Sequence, residues 1–395
     1  MDAHPGTVMR EAARDRGSDA AAGASHQNDL ASEITKIHET PPIDAIPGTI
    51  AGLGGLTEVT THPTWMRRDI DAAPAVCGDL LRGLDTCLPA IAAAIRAASP
   101  RFAIVCGRGS SGHAGTFLRY LLGLRGGLIA ADASPSILTV HRAAPAMTGA
   151  LFVVLSQSGR SPDLVATAVV ARETGATTLA IVNDPVSPAA LACAHVLPIL
   201  AGPERAVAAT KTVINTLAAG AALVAALAGD RMLGDAVAAL PSRLADALTL
   251  AWDGWSDALV DAPVAYVLAR GPALAIAQEL ALKLGECVGL PALAFSTAEF
   301  RHGPRAALAP GMPVLVLHSD DASAADTATL AEELRAAGNR VFVTGADLRA
   351  PPAADALIDP IALLVPGYGA IERAARLRGR DPDAPPGLSK VTRTL

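Results

Sequence analysis

Residues 151–175 read LFVVLSQSGRSPDLVATAVVARETG, and they contain a strand, a tight turn and a helix in that order. LFVVL (151–155) is a short apolar run of strand type. Ser156-Gln157-Ser158-Gly159-Arg160-Ser161-Pro162 interrupts it with hydroxyls, a glycine and a proline. The following DLVATAVVARETG (163–175) reads as a helix, with Ser161 at the N-cap and Pro162 at the first helical position. Such a turn offers backbone N–H groups, hydroxyl donors and the positive end of a helix dipole to one anion. Capping alone needs one hydroxyl, and three are present. Phosphate is the expected ligand.

The alternation continues in both directions. FAIVC (102–106), TLAIV (178–182), YVLA (266–269), VLVL (314–317) and VFVT (341–344) are further strand-type runs separated by longer helical segments. Strands alternating with helices indicate an α/β fold with parallel sheets. Arg108-Gly109, Leu155 and Val182 recur as Arg270-Gly271, Leu317 and Thr344, each 162 residues later, which indicates an internal duplication. The expected organisation is a flexible extension over 1–60, a helical lead-in over 61–99, a first lobe with connecting helices over 100–257, a second lobe over 258–380, and a tail over 381–395.

The whole chain has 395 residues, 51% hydrophobic and 18% charged, which excludes a disordered or collagen-like protein and suffices for a large core. With 32 Lys+Arg against 38 Asp+Glu, it lacks the overall basic field that neutralises nucleic-acid phosphates, so no nucleic-acid partner is expected. Five cysteines without C-x-x-C or zinc spacing indicate a reduced, cytoplasmic protein with no metal. Charges in the first residues rule against a secretion signal. The apolar run 217–228 is shorter than the roughly 18 residues of a membrane span, so it reads as a buried core helix.

Other polar groups stand out against this apolar background. Gly107-Arg108-Gly109-Ser110-Ser111-Gly112 follows FAIVC, and glycine-rich turns at strand ends commonly form ligand walls. It lacks the spacing of a dinucleotide fingerprint, so no nucleotide cofactor is expected. The equivalent of the 156–159 turn is His318-Ser319-Asp320-Asp321, whose carboxylates would repel a phosphate. One phosphate site per chain follows. Glu279, Lys283 and Glu286 lie at intervals of 4 and 3 in the apolar segment LAIAQELALKLGECVGL, hence on one helix face. A carboxylate beside an ammonium there can move protons on a sugar. Glu299-Phe300-Arg301-His302-Gly303-Pro304 is a turn-prone stretch, and the Pro- and Gly-rich C-terminus carries Lys390.

In order and spacing, GRGSSGHA, SQSGRSPD, ERAVAATK, ELALKLGECVGLPALAFSTAEFRHGP and RGRDPDAPPGLSKVT resemble the SIS (sugar isomerase) family. The likeness is above all to the isomerase half of glucosamine-6-phosphate synthase and to SIS-type deaminases, over roughly residues 64–395. The resemblance implies two flavodoxin-like parallel-sheet lobes, tandem SIS domains flanked by helices. It implies that Ser156, Gln157, Ser158 and Ser161 hold a sugar phosphate, and that Ser110, Ser111, Val207 and Glu279 line the substrate site. Glu286 matches the base that moves a proton between C1 and C2. His302 matches the ring-opening histidine donated across a homodimer, Lys390 the tail lysine that closes on the sugar, and Lys283 a charge of the catalytic pocket. Only about 100 residues precede the first strand, so glutamine is not the expected nitrogen donor. The SQSGRSPD and VAATK forms resemble the deaminase branch, with Ala209 where the synthase has serine. The expectation is conversion of glucosamine 6-phosphate and water to fructose 6-phosphate and ammonia. An aldose–ketose isomerase, a galactosamine- or tagatose-phosphate enzyme and a sugar-phosphate-sensing regulator are the alternatives.

Overall fold

A computed structural model of the protein describes residues 63–390. The extension expected over 1–60 lies outside the described residues. Two sheets, both wholly parallel, carry the architecture. The first contains β1 (Phe102–Cys106), β2 (Ala130–Asp132), β3 (Ala150–Ser156), β4 (Thr177–Val182) and β5 (His195–Pro198) in the order β2-β1-β3-β4-β5. The second contains β6 (Ala265–Ala269), β7 (Ala292–Ser296), β8 (Pro313–Val316) and β9 (Arg340–Val343) in the order β7-β6-β8-β9. Both orders are flavodoxin-like, with the switch point between the first and third strands of each lobe.

The register shows how far the duplication extends. Val105 faces Val153 and Asp132, and Val267 faces Leu315 and Ala294, so the first three strands of each lobe are related by a shift of 162. Val153 faces Leu179, whereas Leu315 faces Phe342, a shift of 163. The match of Val182 to Thr344 is therefore corrected by one residue: between register-equivalent positions the β8–β9 connection is one residue longer than the β3–β4 connection.

Strand residues Leu151 to Leu155 are all buried, because helices cover both faces of the sheet. The helix Lys211–Ala228 packs on the helices Trp65–Leu84 and Ser110–Leu124. Among the described residues it is the one helix long and apolar enough to cross a membrane, and 83% of it is buried inside the protein. Its alanines and glycine permit close approach of neighbouring helices, which places it in the core. Between the lobes run the helices Arg231–Ala238, Leu240–Leu248 and Asp253–Leu259, the last with Trp252 and Trp255 edge-to-face at 6.0 Å. All five cysteines are free and four are buried. Burial pushes the Cys77 and Cys106 thiols up to about 12, so they remain neutral members of the core.

The lobes meet through equivalent helices. Ser110–Leu124 follows β1, Ala273–Lys283 follows β6, and the two pack directly against each other. The C-terminal edge of the first sheet thereby lies beside a helix of the second lobe.

Candidate functional site

The loop after β3 has a geometry that can hold an anion. Gly159 adopts φ +62°, and a Cβ there would lie 2.0 Å from Ser187 Oγ, so only glycine fits this turn. The turn aims the Gly159 N–H at Ser156 Oγ (3.0 Å) and the Arg160 N–H at Ser158 Oγ (3.3 Å). Both hydroxyls accept from backbone, which leaves their O–H groups to donate outward. Ser161 occupies the N-cap of the helix Pro162–Glu173, yet its hydroxyl accepts no capping hydrogen bond. Gln157 and Ser158 are half-buried. Arg108 Nε donates to the buried Asp163 carboxylate at 3.0 Å, tying the β1 loop to the β3 loop across the switch point.

In the β1 loop, Gly109 takes φ +50°. A Cβ on Gly107 would meet the Ser111 backbone at 2.7 Å. The helix therefore starts at Ser110, inside the glycine-rich turn. That start directs Ser110 and His113 into a buried polar cluster of the second lobe. Ser110 Oγ donates to Glu279 Oε1 (3.0 Å) and accepts from Lys283 Nζ (2.9 Å). His113 Nδ1 lies 3.0 Å from Glu279 Oε2, and Tyr368 O–H donates to Glu279 Oε1 at 3.2 Å. Lys283 Nζ lies 3.2 Å from Glu279 and 2.6 Å from Glu286 Oε2.

Glu279 and Lys283 are each 1% exposed, and the Glu286 side chain is 22% exposed. The α-helix ends at Lys283, and Leu284–Val288 forms a π-helical turn closed by Gly289 in the left-handed conformation. Such turns are frequent at functional sites. This one sets Glu286 at the rim while keeping it bonded to the buried Lys283. Burial alone would raise the Glu279 carboxyl, but the Lys283 ammonium and the His113 hydrogen bond outweigh it and hold the group below its ordinary range. Burial alone would lower Lys283, but Glu279 and Glu286 outweigh it and hold the ammonium charged. The site thus contains a fixed cation bonded to a partly exposed carboxylate.

The remaining expected residues bond to groups outside this cluster or, like the His302 side chain, to none among the described residues. Ser111 lies one helix position beyond Ser110, and its backbone N–H bonds to Arg108. The Val207 N–H donates to the Asp383 carbonyl at 3.2 Å. Lys390 Nζ sits on Glu204 Oε2 at 2.8 Å and on the Ala206 carbonyl at 2.6 Å. His302 caps the short helix Thr297–Arg301 and is exposed, with no side-chain hydrogen bond or ion pair among the described residues. Glu333 bonds both Arg301 and Arg305, so an ion cluster grips the His302 loop on either side.

Sequence reasoning missed His113, Tyr368 and Glu204 as members of the site. His113 stands three residues after Ser110 and shares its helix face, a signal present in GRGSSGHA. Glu204 lies in ERAVAATK just before a hydroxyl-bearing helix start. Tyr368 comes from a distant helix, and no local pattern marks it.

The parallel sheets, the glycine- and hydroxyl-bearing loop at the switch point and the buried charge cluster on the joining helix together define an α/β protein of two tandem flavodoxin-like lobes. The SIS domain family model matches residues 98–226 and 258–346, more than half of the chain, and the chain belongs to that family. It is 33% identical over 255 residues to glutamine–fructose-6-phosphate aminotransferase (isomerizing) of Methanothermobacter thermautotrophicus, covering 61% of this chain and 43% of that protein. The chain thus spans less than half the length of the curated relatives it matches first. A solved structure of a candidate phosphosugar isomerase from Silicibacter pomeroyi is 39% identical with TM-score 0.78, covering 81% of this chain and all of that one. Glucosamine-6-phosphate deaminase from Thermotoga maritima superposes with TM-score 0.70 at 18% identity over 84% of this chain and 100% of its own, a likeness of fold.

Proposed function

We propose that this chain is a sugar-phosphate aldose–ketose enzyme that converts glucosamine 6-phosphate and water to fructose 6-phosphate and ammonia. The observation that carries the reading is the partly exposed Glu286 carboxylate held 2.6 Å from buried Lys283, which Ser110 bridges to the first lobe. The Ser156–Ser161 loop leaves β3 beside the β1 loop that carries Ser110, so the phosphate end and the reacting end of one small sugar have separate partners. The kinship to an aminotransferase that handles fructose 6-phosphate supports an amino-sugar substrate. Arg160, in place of the acidic residue expected after S-x-S-G in the synthase branch, supports the deaminase direction.

In this reading His302, supplied by a second copy of the chain, assists ring opening to the aldehyde. Glu286 takes the proton from C2 while O1 gains a proton, giving an enolamine, and returns it to C1 while the nitrogen gives up a proton, so that in net terms the C2 proton moves to C1 and one N–H proton moves to O1. The product is a C2 imine with a hydroxymethyl group at C1. Water adds to the imine and ammonia leaves, so atoms and charge balance. Lys283 keeps Glu286 oriented as base through the 2.6 Å contact, and its fixed charge lies where negative charge develops on the substrate. Lys390 closes over the sugar.

A 2-hydroxy sugar would undergo the same C2-to-C1 proton transfer without loss of nitrogen, and the 39% identity to a candidate phosphosugar isomerase favours keeping this second reading. Purified protein is given glucosamine 6-phosphate or galactosamine 6-phosphate without glutamine, and ammonia and ketose phosphate are measured together. Equimolar ammonia and fructose 6-phosphate are expected from the first sugar. Ketose formation only from 2-hydroxy aldose phosphates would replace the deaminase by the isomerase. Protection of the fold by sugar phosphates with no turnover would point to a sensor.

A further inference from the structure

The segment that carries Lys390 is fastened to the first lobe by groups that the proton-transfer chemistry does not use. The Asp383 carboxylate accepts from the Trp65 N–H (2.6 Å) and the Met66 N–H (2.7 Å). These are the first two residues of the 20-residue helix Trp65–Leu84, so the carboxylate satisfies two orphan donors at the positive end of the dipole. The carbonyl of the same residue accepts from Val207. One residue of the tail therefore joins a helix start to the 204–207 loop.

That loop is also the seat of the lysine. Glu204 is buried, and its carboxylate accepts from the Thr210 N–H, the Thr212 N–H and the Thr212 hydroxyl. These bonds fix it as an acceptor independently of Lys390. The guanidinium of Arg205, the next residue, stacks on the Trp65 ring at 4.3 Å, with Arg68 on the same ring at 4.5 Å. Helix start, loop and tail are thus locked together. Between Asp383 and Lys390 the chain contains Pro385 and Pro386, which limit backbone freedom, so fixing Asp383 restricts where Lys390 can reach.

We propose that Asp383 is a positioning residue for Lys390: its carboxylate pins the tail to the Trp65–Leu84 helix and so keeps the lysine poised on Glu204 beside the substrate loops. The consequence for turnover rests on the proposed function, whereas the pinning itself does not. Removing the carboxylate frees the tail without touching the Ser156–Ser161 loop or the Glu279–Lys283–Glu286 cluster. The loss then falls on kcat, with KM for the sugar phosphate unchanged.

The test uses the full chain with Asp383→Ala and the isosteric Asp383→Asn, which retains one acceptor oxygen. Limited trypsin digestion followed by intact mass reads cleavage after Arg380 and Lys390. Tail loss about tenfold faster in Asp383→Ala, with Asp383→Asn intermediate and the melting temperature of the body nearly unchanged, is expected; equal rates in wild type and both variants would overturn the pinning. With glucosamine 6-phosphate, kcat is expected to fall about tenfold in Asp383→Ala with KM within twofold, and partial rescue in Asp383→Asn. Rapid tail loss with undiminished kcat would overturn the positioning role. If the wild type turns over no sugar phosphate, the functional reading fails, while the digestion still decides the pinning. If Asp383→Ala does not fold, Asp383→Asn decides alone.

Discussion

The two lobes share strand order and, over three strands, register, yet they carry opposite chemistry at equivalent places. After β3, Gly159 takes a left-handed turn that directs backbone N–H groups onto Ser156 and Ser158 while the Ser161 hydroxyl makes no cap. After β8, Asp321 stands at the equivalent position, and its carboxylate accepts from the Ser323 N–H (2.7 Å) and the Ser323 hydroxyl (2.6 Å). The second loop supplies an anion to the helix start from Asp321, whereas in the first the carboxylate at the helix start is Asp163, which accepts from the Leu164 N–H at 2.9 Å. The helices after β1 and β6 reverse the assignment. Glu279, Lys283 and Glu286 in the second correspond, by the 162-residue shift, to Phe117, Leu121 and Leu124 in the first. The duplicated edges thus differ in charge: hydroxyls and a glycine in the first lobe, carboxylates in the second, whose helix also carries Glu279, Lys283 and Glu286.

The sharpest way to break this division is at Glu286. Glu286→Gln keeps the size and a hydrogen-bonding oxygen but removes the base. It is expected to lower kcat by about 10²–10⁴ while sugar phosphate still raises the melting temperature, because the loop of the first lobe is untouched. Steady-state kinetics and thermal shift on the same preparation check both halves. Undiminished kcat would return Glu286 to a structural role.

Next comes the buried cation. Lys283→Met leaves Glu279 buried without its charge partner, and breaking such a pair costs about 3–5 kcal/mol. Denaturant unfolding of the variant is expected to show a loss of that order. The double variant Lys283→Met/Glu279→Gln, which moves the helix toward its apolar counterpart Ser110–Leu124, is expected to recover part of the stability but no turnover. A double variant no more stable than the single one would show that Ser110, His113 and Tyr368 require a charged partner.

A smaller effect is expected from importing the second loop's chemistry into the first. Ser158→Asp places a carboxylate where Asp320 stands in the other lobe. Two like charges about 4 Å apart repel by about 4 kcal/mol at an effective dielectric near 20. Mobile solvent and ions reduce that, so KM for the sugar phosphate is expected to rise at least about tenfold with the fold intact. An unchanged KM would remove the loop from phosphate binding.

The central strands were legible because each is a short apolar run bounded by turn residues, and β1 has the limits its sequence indicated. The strands that escaped, β2, β5 and β7, are edge strands. Ala130–Asp132 is three residues long and mostly exposed, and Ala292–Ser296 is half-buried along most of its length, so neither needed a continuous apolar run. In the site, the 4- and 3-residue spacing of Glu279, Lys283 and Glu286 was visible because it is local. The π-turn that tilts Glu286 to the rim was not, since its wider hydrogen bonding is set by packing around Gly289 and the helix Leu364–Leu377. Partners across the fold, Tyr368 on Glu279 and Glu204 beneath Lys390, depend on tertiary contacts that no periodicity encodes.

The smallest effect concerns pH and separates the buried cluster from the rest of the molecule. Glu279 is held below its ordinary value in the folded protein. Its ionised form therefore adds stability that is present above the unfolded carboxylate value of about 4.3 and is lost as pH falls through the lower folded value. Lys283, held above its ordinary value, adds stability that is present below about 10.4 and is lost as pH rises through the folded value. The melting temperature of the wild type should therefore fall on both sides of a neutral plateau. In Glu279→Gln the neutral plateau should drop and the acid limb flatten, because the group that titrates there is gone and Lys283 retains only Glu286 as its carboxylate partner. Melting curves from pH 3 to about pH 11 check the plateau, the acid limb and the onset of the alkaline one. An acid limb of equal steepness in the variant would mean that acid lability arises elsewhere, and would uncouple the Glu279–Lys283 pair from the stability of the joint between the lobes.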